Sequence, residues 1–91
     1  MDESLGRLVL QVSSWIELSP DTVVEPTAAV TWLETIAYEL VNLPEPDRRD
    51  LVVLAHAMAD EARAAGRVAE ASFYYAAPAA LGFDVTLRDA D

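Results

Sequence analysis

The segment from Asp50 to Ala80 constrains the fold of this chain more than any other part of the sequence. Its apolar residues recur at helical spacing on both sides of a single glycine, Gly66. This is the pattern of two helices joined by a tight turn. Several alanines on both segments are small enough to let the two backbones approach closely: Ala55, Ala59, Ala62 and Ala71. We therefore expect a helical hairpin that forms the core on which the rest of the chain packs.

The spacing predicts which face of each hairpin helix is buried. On the first helix, over residues 46–65, the buried face comprises Leu51, Leu54, Ala55, Met58, Ala62 and Ala65. On the second, over residues 67–77, it comprises Val68, Ala71, Ser72 and Tyr75. Pro78 is expected to break or kink this last helix, because proline lacks the backbone N–H that a helix interior uses.

Two more amphipathic segments, residues 4–18 and 26–42, precede the hairpin. The first predicts a buried stripe of Leu5, Leu8, Val9, Val12 and Ile16. The second predicts a buried face of Ala29, Leu33, Ile36, Ala37 and Leu40. Pro26 suits the first turn of its helix. Glu34 and Glu39 should face water.

The last ten residues, 82–91, follow a different pattern. Phe83, Val85 and Leu87 alternate with polar residues, which is the period of an extended strand. This tail either lies as a strap along the domain or pairs with another copy or with a partner's sheet edge.

These patterns predict one all-α domain over residues 1–91: a compact four-helix domain, orthogonal or antiparallel, with an extended C-terminal tail. The chain has no cysteine, which excludes disulfides and thiolate metal sites. Nothing resembles a signal peptide, and no apolar run is long enough to span a bilayer. We therefore expect a cytoplasmic protein.

Net charge limits the partners. Sixteen acidic residues against six basic ones give a formal charge of −10, and every basic residue is arginine. This charge repels phosphates and anionic lipids, so we expect neither nucleic acid nor membrane as a partner. It suits a basic protein partner, although acidity also serves solubility alone.

Catalytic chemistry has little support in the sequence. His56, the only histidine, lies four residues before Asp60, so the two could meet on one helical face. Such a pair can act as base and orienter, but no nucleophile motif accompanies it, and a surface ion pair is the interpretation we favour.

The acidic groups Asp60-Glu61 and Asp89–Asp91 lack the spacing of metal sites, and the three glycines are too far apart for a phosphate loop. We expect no enzyme, metal or cofactor.

Aromatic residues give the clearest indication of binding. Three successive aromatic residues, Phe73, Tyr74 and Tyr75, are distributed over about 200° of the helix circumference. A single buried stripe is narrower than this. With Tyr75 assigned to the core, Phe73 or Tyr74 should be partly exposed, covered either by the tail or by another molecule. Trp15 and Trp32 either join that patch or lie at the core edge. The candidate protein-binding residues are thus Trp15, Trp32, Phe73, Tyr74, Glu34 and Glu39.

Part of the hairpin, Leu54–Leu81, resembles a single tetratricopeptide-type repeat. The residues that carry the resemblance are small or aromatic: Met58, Ala59, Ala62, Gly66, Ala71 and Tyr75. Pro78 departs from that pattern. The resemblance implies a packed helix pair rather than a peptide-binding groove.

The whole chain is similar to small acidic helical proteins of GC-rich, actinobacterial-type genomes, including immunity proteins that neutralise a toxin. The similar segments are WIEL at Trp15–Leu18, VVEP at Val23–Pro26, WLETIAYEL at Trp32–Leu40 and AALGF at Ala79–Phe83. The resemblance implies a non-catalytic, antitoxin-like inhibitor of a basic protein, steered by its carboxylates: Glu17, Asp21, Glu25, Glu34 and Glu39. The alternative is a self-associating scaffold domain that forms a homodimer.

Overall fold

The helical hairpin predicted around Gly66 is present. A computed structural model of the protein describes residues 1–84, in which α3 spans Glu45–Ala64 and α4 spans Val68–Ala80. Gly66 has a positive φ of 78°, and its N–H donates to the Arg63 carbonyl at 3.0 Å. The Arg67 N–H donates to the Ala62 carbonyl at 2.8 Å. These two hydrogen bonds form the glycine-dependent cap that ends many helices.

Two helices precede the hairpin, as predicted. Helix α1 spans Glu3–Leu18, and Asp2 caps it by accepting from the Leu5 N–H at 3.1 Å. Helix α2 spans Pro26–Val41 and begins with proline at its first position. The described residues contain no strand, so the protein is an all-α, compact four-helix domain over residues 1–84.

The core lies between α3 and α4, and α1 is the helix that packs on all three others. The predicted face of α3 is confirmed for its central residues: Leu51, Ala55, Met58 and Ala62 are buried. Leu54 is half-buried, and Ala65 is exposed because it is the C-cap residue of the helix. The alanines allow the close approach of α3 and α4 that the sequence indicates.

The predicted buried face of α4 is wrong except at Ala71. Val68, Ser72 and Tyr75 are exposed, whereas Tyr74 is 4% exposed. Adjacent helical residues differ by about 100°, so choosing Tyr75 instead of Tyr74 rotates the predicted face away from the core. Tyr74 belongs to the buried core, where its hydroxyl lies near the Ser14 side chain of α1, and burial raises the pKa of Tyr74.

The predicted buried stripe of α1 is also largely wrong. Ile16 is buried and Val9 is half-buried against the core, but Leu5, Leu8 and Val12 are exposed. The helix instead packs on α3 and α4 through Leu10 and three small residues, Gly6, Ser13 and Ser14. A Cβ atom at Gly6 would lie 2.8 Å from Leu54 Cδ2, which shows how closely α1 approaches α3.

Pro78 does not break α4, which was one of the two outcomes expected there, and the predicted helix end at residue 77 is three residues too early. The helix continues to Ala80, and the Leu81 N–H donates to the Ala77 carbonyl at 2.8 Å. Proline removes one hydrogen bond from the last turn, while its ring is buried in the domain. Phe83, the first apolar residue of the predicted tail, is fully buried. The rest of the tail prediction, from Val85 onward, lies outside the described residues.

Candidate protein-binding surface

An apolar groove of about 670 Å³ lies between α1, α2 and the loop that joins them. Helix α1 contributes one wall, α2 the other, and Val23 and Val24 of the loop line it as well. The loop is held by two hydrogen bonds, from the N–H groups of Val23 and Val24 to the Pro20 carbonyl. The remaining lining residues are Leu8, Val9, Val12, Trp15, Ile16, Glu25, Ala28, Trp32 and Ile36.

Both tryptophans of the chain line this groove. Trp15 on α1 is 57% exposed, and Trp32 on α2 is 60% exposed. The interpretation of each as a core-edge residue is therefore wrong, and the structure brings the two candidates to one surface. Tryptophan is among the residues that most often anchor protein interfaces, so these two exposed rings make the groove a candidate binding surface.

Apart from Trp15, the α1 wall of the groove consists of residues predicted from the sequence to form the buried stripe. Leu8 is 54% exposed, and Val12 is also more exposed than buried residues of the same helix such as Leu10. A second pattern indicates the true core side: Gly6, Leu10, Ser13 and Ser14 also recur at helical spacing. The Ser13 hydroxyl donates to the Val9 carbonyl at 2.8 Å, so this polar residue can be buried without losing its hydrogen bond.

Glu25 places a negative charge at the loop end of the groove. Its carboxylate caps α2 by accepting from the N–H groups of Thr27 at 3.0 Å and Ala28 at 2.9 Å. These backbone hydrogen bonds lower the pKa of Glu25, because they stabilise the ionised form. The carboxylate is therefore both fixed in position and charged at neutral pH.

The other candidate residues lie elsewhere. Glu34 and Glu39 are exposed, as predicted, and line a shallow depression on α2 together with Thr31, Thr35 and Tyr38. Phe73 is half-buried and packs its ring edge-to-face against Tyr74, with ring centroids 5.8 Å apart. Phe73 thus fulfils the expectation of a partly exposed aromatic residue, but neither Phe73 nor Tyr74 lines the apolar groove.

Charge is distributed unevenly around the groove. The segment from Leu8 to Asp47 contains seven carboxylates and no lysine, arginine or histidine. Among residues 1–84, no ion pair involves four of these exposed carboxylates: Glu17, Asp21, Glu34 and Glu39. The helices and loop that form the groove therefore have an acidic surface, and this segment contains no basic residue that could neutralise it.

A second, polar cavity of about 640 Å³ lies on the other side of Trp15. Its charged residues are paired: Arg7 binds Glu61 through two hydrogen bonds of 2.9 and 2.8 Å, and Arg67 binds Glu70 at 3.0 Å. Each arginine is already occupied by a carboxylate, so this cavity offers a ligand little uncompensated charge.

His56 does not form the predicted ion pair. Asp60 pairs with Arg63 at 2.9 Å, and the His56 ring stacks on Tyr75 with centroids 5.6 Å apart.

Within residues 1–84, no group of three or more histidine and acidic side chains is close enough to hold a metal ion. None of the helices in that range is both long and apolar enough to span a bilayer.

No protein-family model, curated protein or solved structure matches this chain. The similarity to immunity proteins therefore stays a prediction, and the groove is the structural feature on which a functional proposal can be built.

Proposed function

We propose that this protein is a non-catalytic protein-binding domain that uses the α1–α2 groove as its binding surface. The observation that carries the proposal is the exposure of Trp15 and Trp32 in one apolar groove. Burying a large apolar side chain contributes about 1.5–3 kcal/mol, so two half-exposed rings and the valines beside them represent substantial binding energy.

The charge of the protein supports a more specific form of this proposal. A domain of charge −10 attracts basic partners over several ångströms and accelerates their association. We therefore propose an acidic inhibitor of a basic protein, comparable to an immunity protein or antitoxin, that acts in the cytoplasm.

Self-association is the alternative function. The same exposed apolar residues could pair two copies into a homodimer, and acidity would then serve only solubility. A symmetric dimer through this groove would bring two acidic surfaces together, which disfavours it electrostatically.

Site-specific photo-crosslinking tests the proposal. The photoreactive residue p-benzoylphenylalanine replaces Val12 in the groove or, as the control, Val53, which is 70% exposed on α3 and does not line the groove. In cells that make this protein, we expect one heterologous adduct from position 12 and none from position 53.

The partner identified by mass spectrometry is then purified and titrated calorimetrically. We expect Val12→Asp to weaken its binding by at least about tenfold, or about 1.4 kcal/mol, while Val53→Asp binds as wild type does. An adduct between two copies of the chain would support the homodimer instead. Equal crosslinking from both positions would contradict a binding role for the groove.

A further inference from the structure

We infer that the groove binds an amphipathic helix whose apolar face is flanked by lysine or arginine residues. This inference rests on the proposed function and specifies the chemistry of the partner. It requires three properties of the groove: a shape suited to a helix, an apolar lining, and carboxylates where the flanks of the bound helix would lie.

The architecture of the groove favours a helix over a strand. A peptide that binds by β-strand addition pairs with an exposed sheet edge, and residues 1–84 contain no strand that could provide one. A groove between two helices instead accepts the apolar side chains of a third helix, spaced at i, i+3, i+4 and i+7. The walls of the groove are apolar apart from Glu25, so the face of the bound helix between its flanks must be apolar as well.

One carboxylate, Glu25, lies at one end of the α2 wall, and a second, Glu39, lies about one helical turn beyond Ile36, the last α2 residue that lines the groove. Glu25 caps the N-terminus of α2, and Glu39 lies seven positions after Trp32, or close to two helical turns. Glu39 and Trp32 therefore lie on the same side of α2. Because a helix rises about 1.5 Å per residue, Glu25 and Glu39 are about 21 Å apart along the helix axis, which matches about four turns of a bound helix.

The charge of this half of the protein disfavours an acidic occupant. Seven carboxylates and no basic residue lie between Leu8 and Asp47, so an acidic helix would meet only like charge. A second copy of this chain is disfavoured for the same reason, because its own groove walls come from the same acidic segment. Lysine and arginine on the flanks of the bound helix would supply the missing opposite charges.

Three synthetic peptides of about 16 residues, without tryptophan, test this inference. The first has leucine along one helical face and lysine on both flanks. The second replaces every lysine with glutamate. The third has the composition of the first in an order that abolishes the apolar face. Because Trp15 and Trp32 are the only tryptophans of the protein and both line the groove, intrinsic fluorescence responds to binding there, and Val12→Asp distinguishes the groove from the polar cavity that Trp15 also borders.

We expect the first peptide to shift the tryptophan emission to shorter wavelength and to bind at least about tenfold more tightly than the second. Raising sodium chloride from about 50 mM to about 500 mM should remove most of that difference, because salt screens the carboxylates. The third peptide should cause no saturable shift. Val12→Asp should abolish binding of the first peptide, and Val53→Asp should leave it unchanged.

A matched pair of neutralised variants tests the role of the two carboxylates. We expect the double variant Glu25→Gln and Glu39→Gln to weaken binding of the first peptide about tenfold. The double variant Glu3→Gln and Asp60→Asn removes the same charge away from the groove and should change binding much less. Circular dichroism confirms that each variant is folded.

The possible failures can be distinguished. Equal binding of the lysine and glutamate peptides would overturn the inference about charge and leave the groove as an apolar protein-binding surface. Absence of binding by all three peptides would overturn the inference of a helical ligand, while a position-12 crosslink to a partner would still support the proposed function. Absence of that crosslink would overturn the proposed function itself.

Discussion

Arg7 joins the first helix to the third through a pair of parallel hydrogen bonds. Its guanidinium donates to both carboxylate oxygens of Glu61, at 2.9 and 2.8 Å, and its Nε donates to Glu3 at 3.2 Å. The two-point geometry is the strongest form of an arginine–carboxylate contact. The Arg7 guanidinium therefore holds the pKa of Glu61 below its ordinary value of 4.5.

Replacement of Arg7 by glutamine should return the pKa of Glu61 toward its ordinary value, because the stabilising positive charge is removed. NMR titration of the Glu61 side-chain carbon measures this change. Arg63→Gln is the control, since Arg63 pairs with Asp60 and should leave Glu61 unaffected. A Glu61 pKa that is the same in the Arg7 variant and in wild type would contradict the ion pair.

The lowered pKa of Glu61 also has a consequence for stability. A carboxyl group with a lowered pKa in the folded state stabilises the protein above its unfolded-state pKa, and this contribution is lost as the pH falls through the folded-state value. Wild type should therefore lose stability more steeply than Arg7→Gln as the pH falls below about 4.5. Urea denaturation at a series of acidic pH values compares the two proteins.

In helix α1, the exposure of two leucines identifies the face that packs on the core. Leu10 is fully buried, whereas Leu8 on the same helix is 54% exposed. We expect Leu10→Ala to cost about 2–5 kcal/mol of unfolding free energy, because it leaves a cavity, and Leu8→Ala to cost less than about 1 kcal/mol. Both substitutions change leucine to alanine in the same helix, so the difference in helix propensity affects the two variants equally. Equal losses in chemical denaturation would contradict this packing.

The comparison of α1 with α3 shows how far sequence patterns determine this fold. All four helices could be predicted, because apolar periodicity, prolines and Gly66 mark them. The core face of α3 was also predictable, since it has one apolar stripe. Helix α1 has two candidate faces, and the rule that large apolar residues are buried selects the wrong one when small residues such as Gly6 and Ser13 make the close contact.

The candidate site was predictable only in part for the same reason. Trp15 and Trp32 could be singled out by residue type, and Glu25 by its charge. The assignment of Leu8 and Val12 to the groove depends on where α2 packs across α1, which no local pattern encodes. Tyr74 was misassigned because three successive aromatic residues carry no periodicity, so the packing of α4 against the rest of the core decides which ring is buried.

The turn between α3 and α4 depends on the conformation of Gly66. Its φ of 78° is unfavourable for residues with a Cβ atom, and nothing lies within 4 Å of the position where that atom would be added. Gly66→Ala should therefore cost about 1–2 kcal/mol from backbone strain alone. Gly66→Asn should cost less, because asparagine adopts this conformation more readily. Thermal or chemical denaturation compares the two variants, and an alanine variant as stable as wild type would contradict the assigned turn.

The whole molecule combines an exposed apolar groove with a net charge of −10, and these two properties oppose each other in self-association. Apolar surface favours pairing of two copies, whereas the acidic segment from Leu8 to Asp47 repels its counterpart. Repulsion between exposed charges acts over about 10 Å at 0.1 M salt and weakens as salt is added. The oligomeric state and its dependence on salt therefore report which property dominates.

Light scattering should give the monomer mass of 9.9 kDa at sodium chloride concentrations of about 50 and 150 mM, because repulsion then outweighs the apolar attraction. At about 1 M, where charges are screened within about 3 Å, weak association through the groove is expected. Val12→Asp should suppress that association, and Val53→Asp should not. A dimer that persists at every salt concentration would instead support the scaffold function, because the groove would then be buried against a second copy and unavailable to a basic helix.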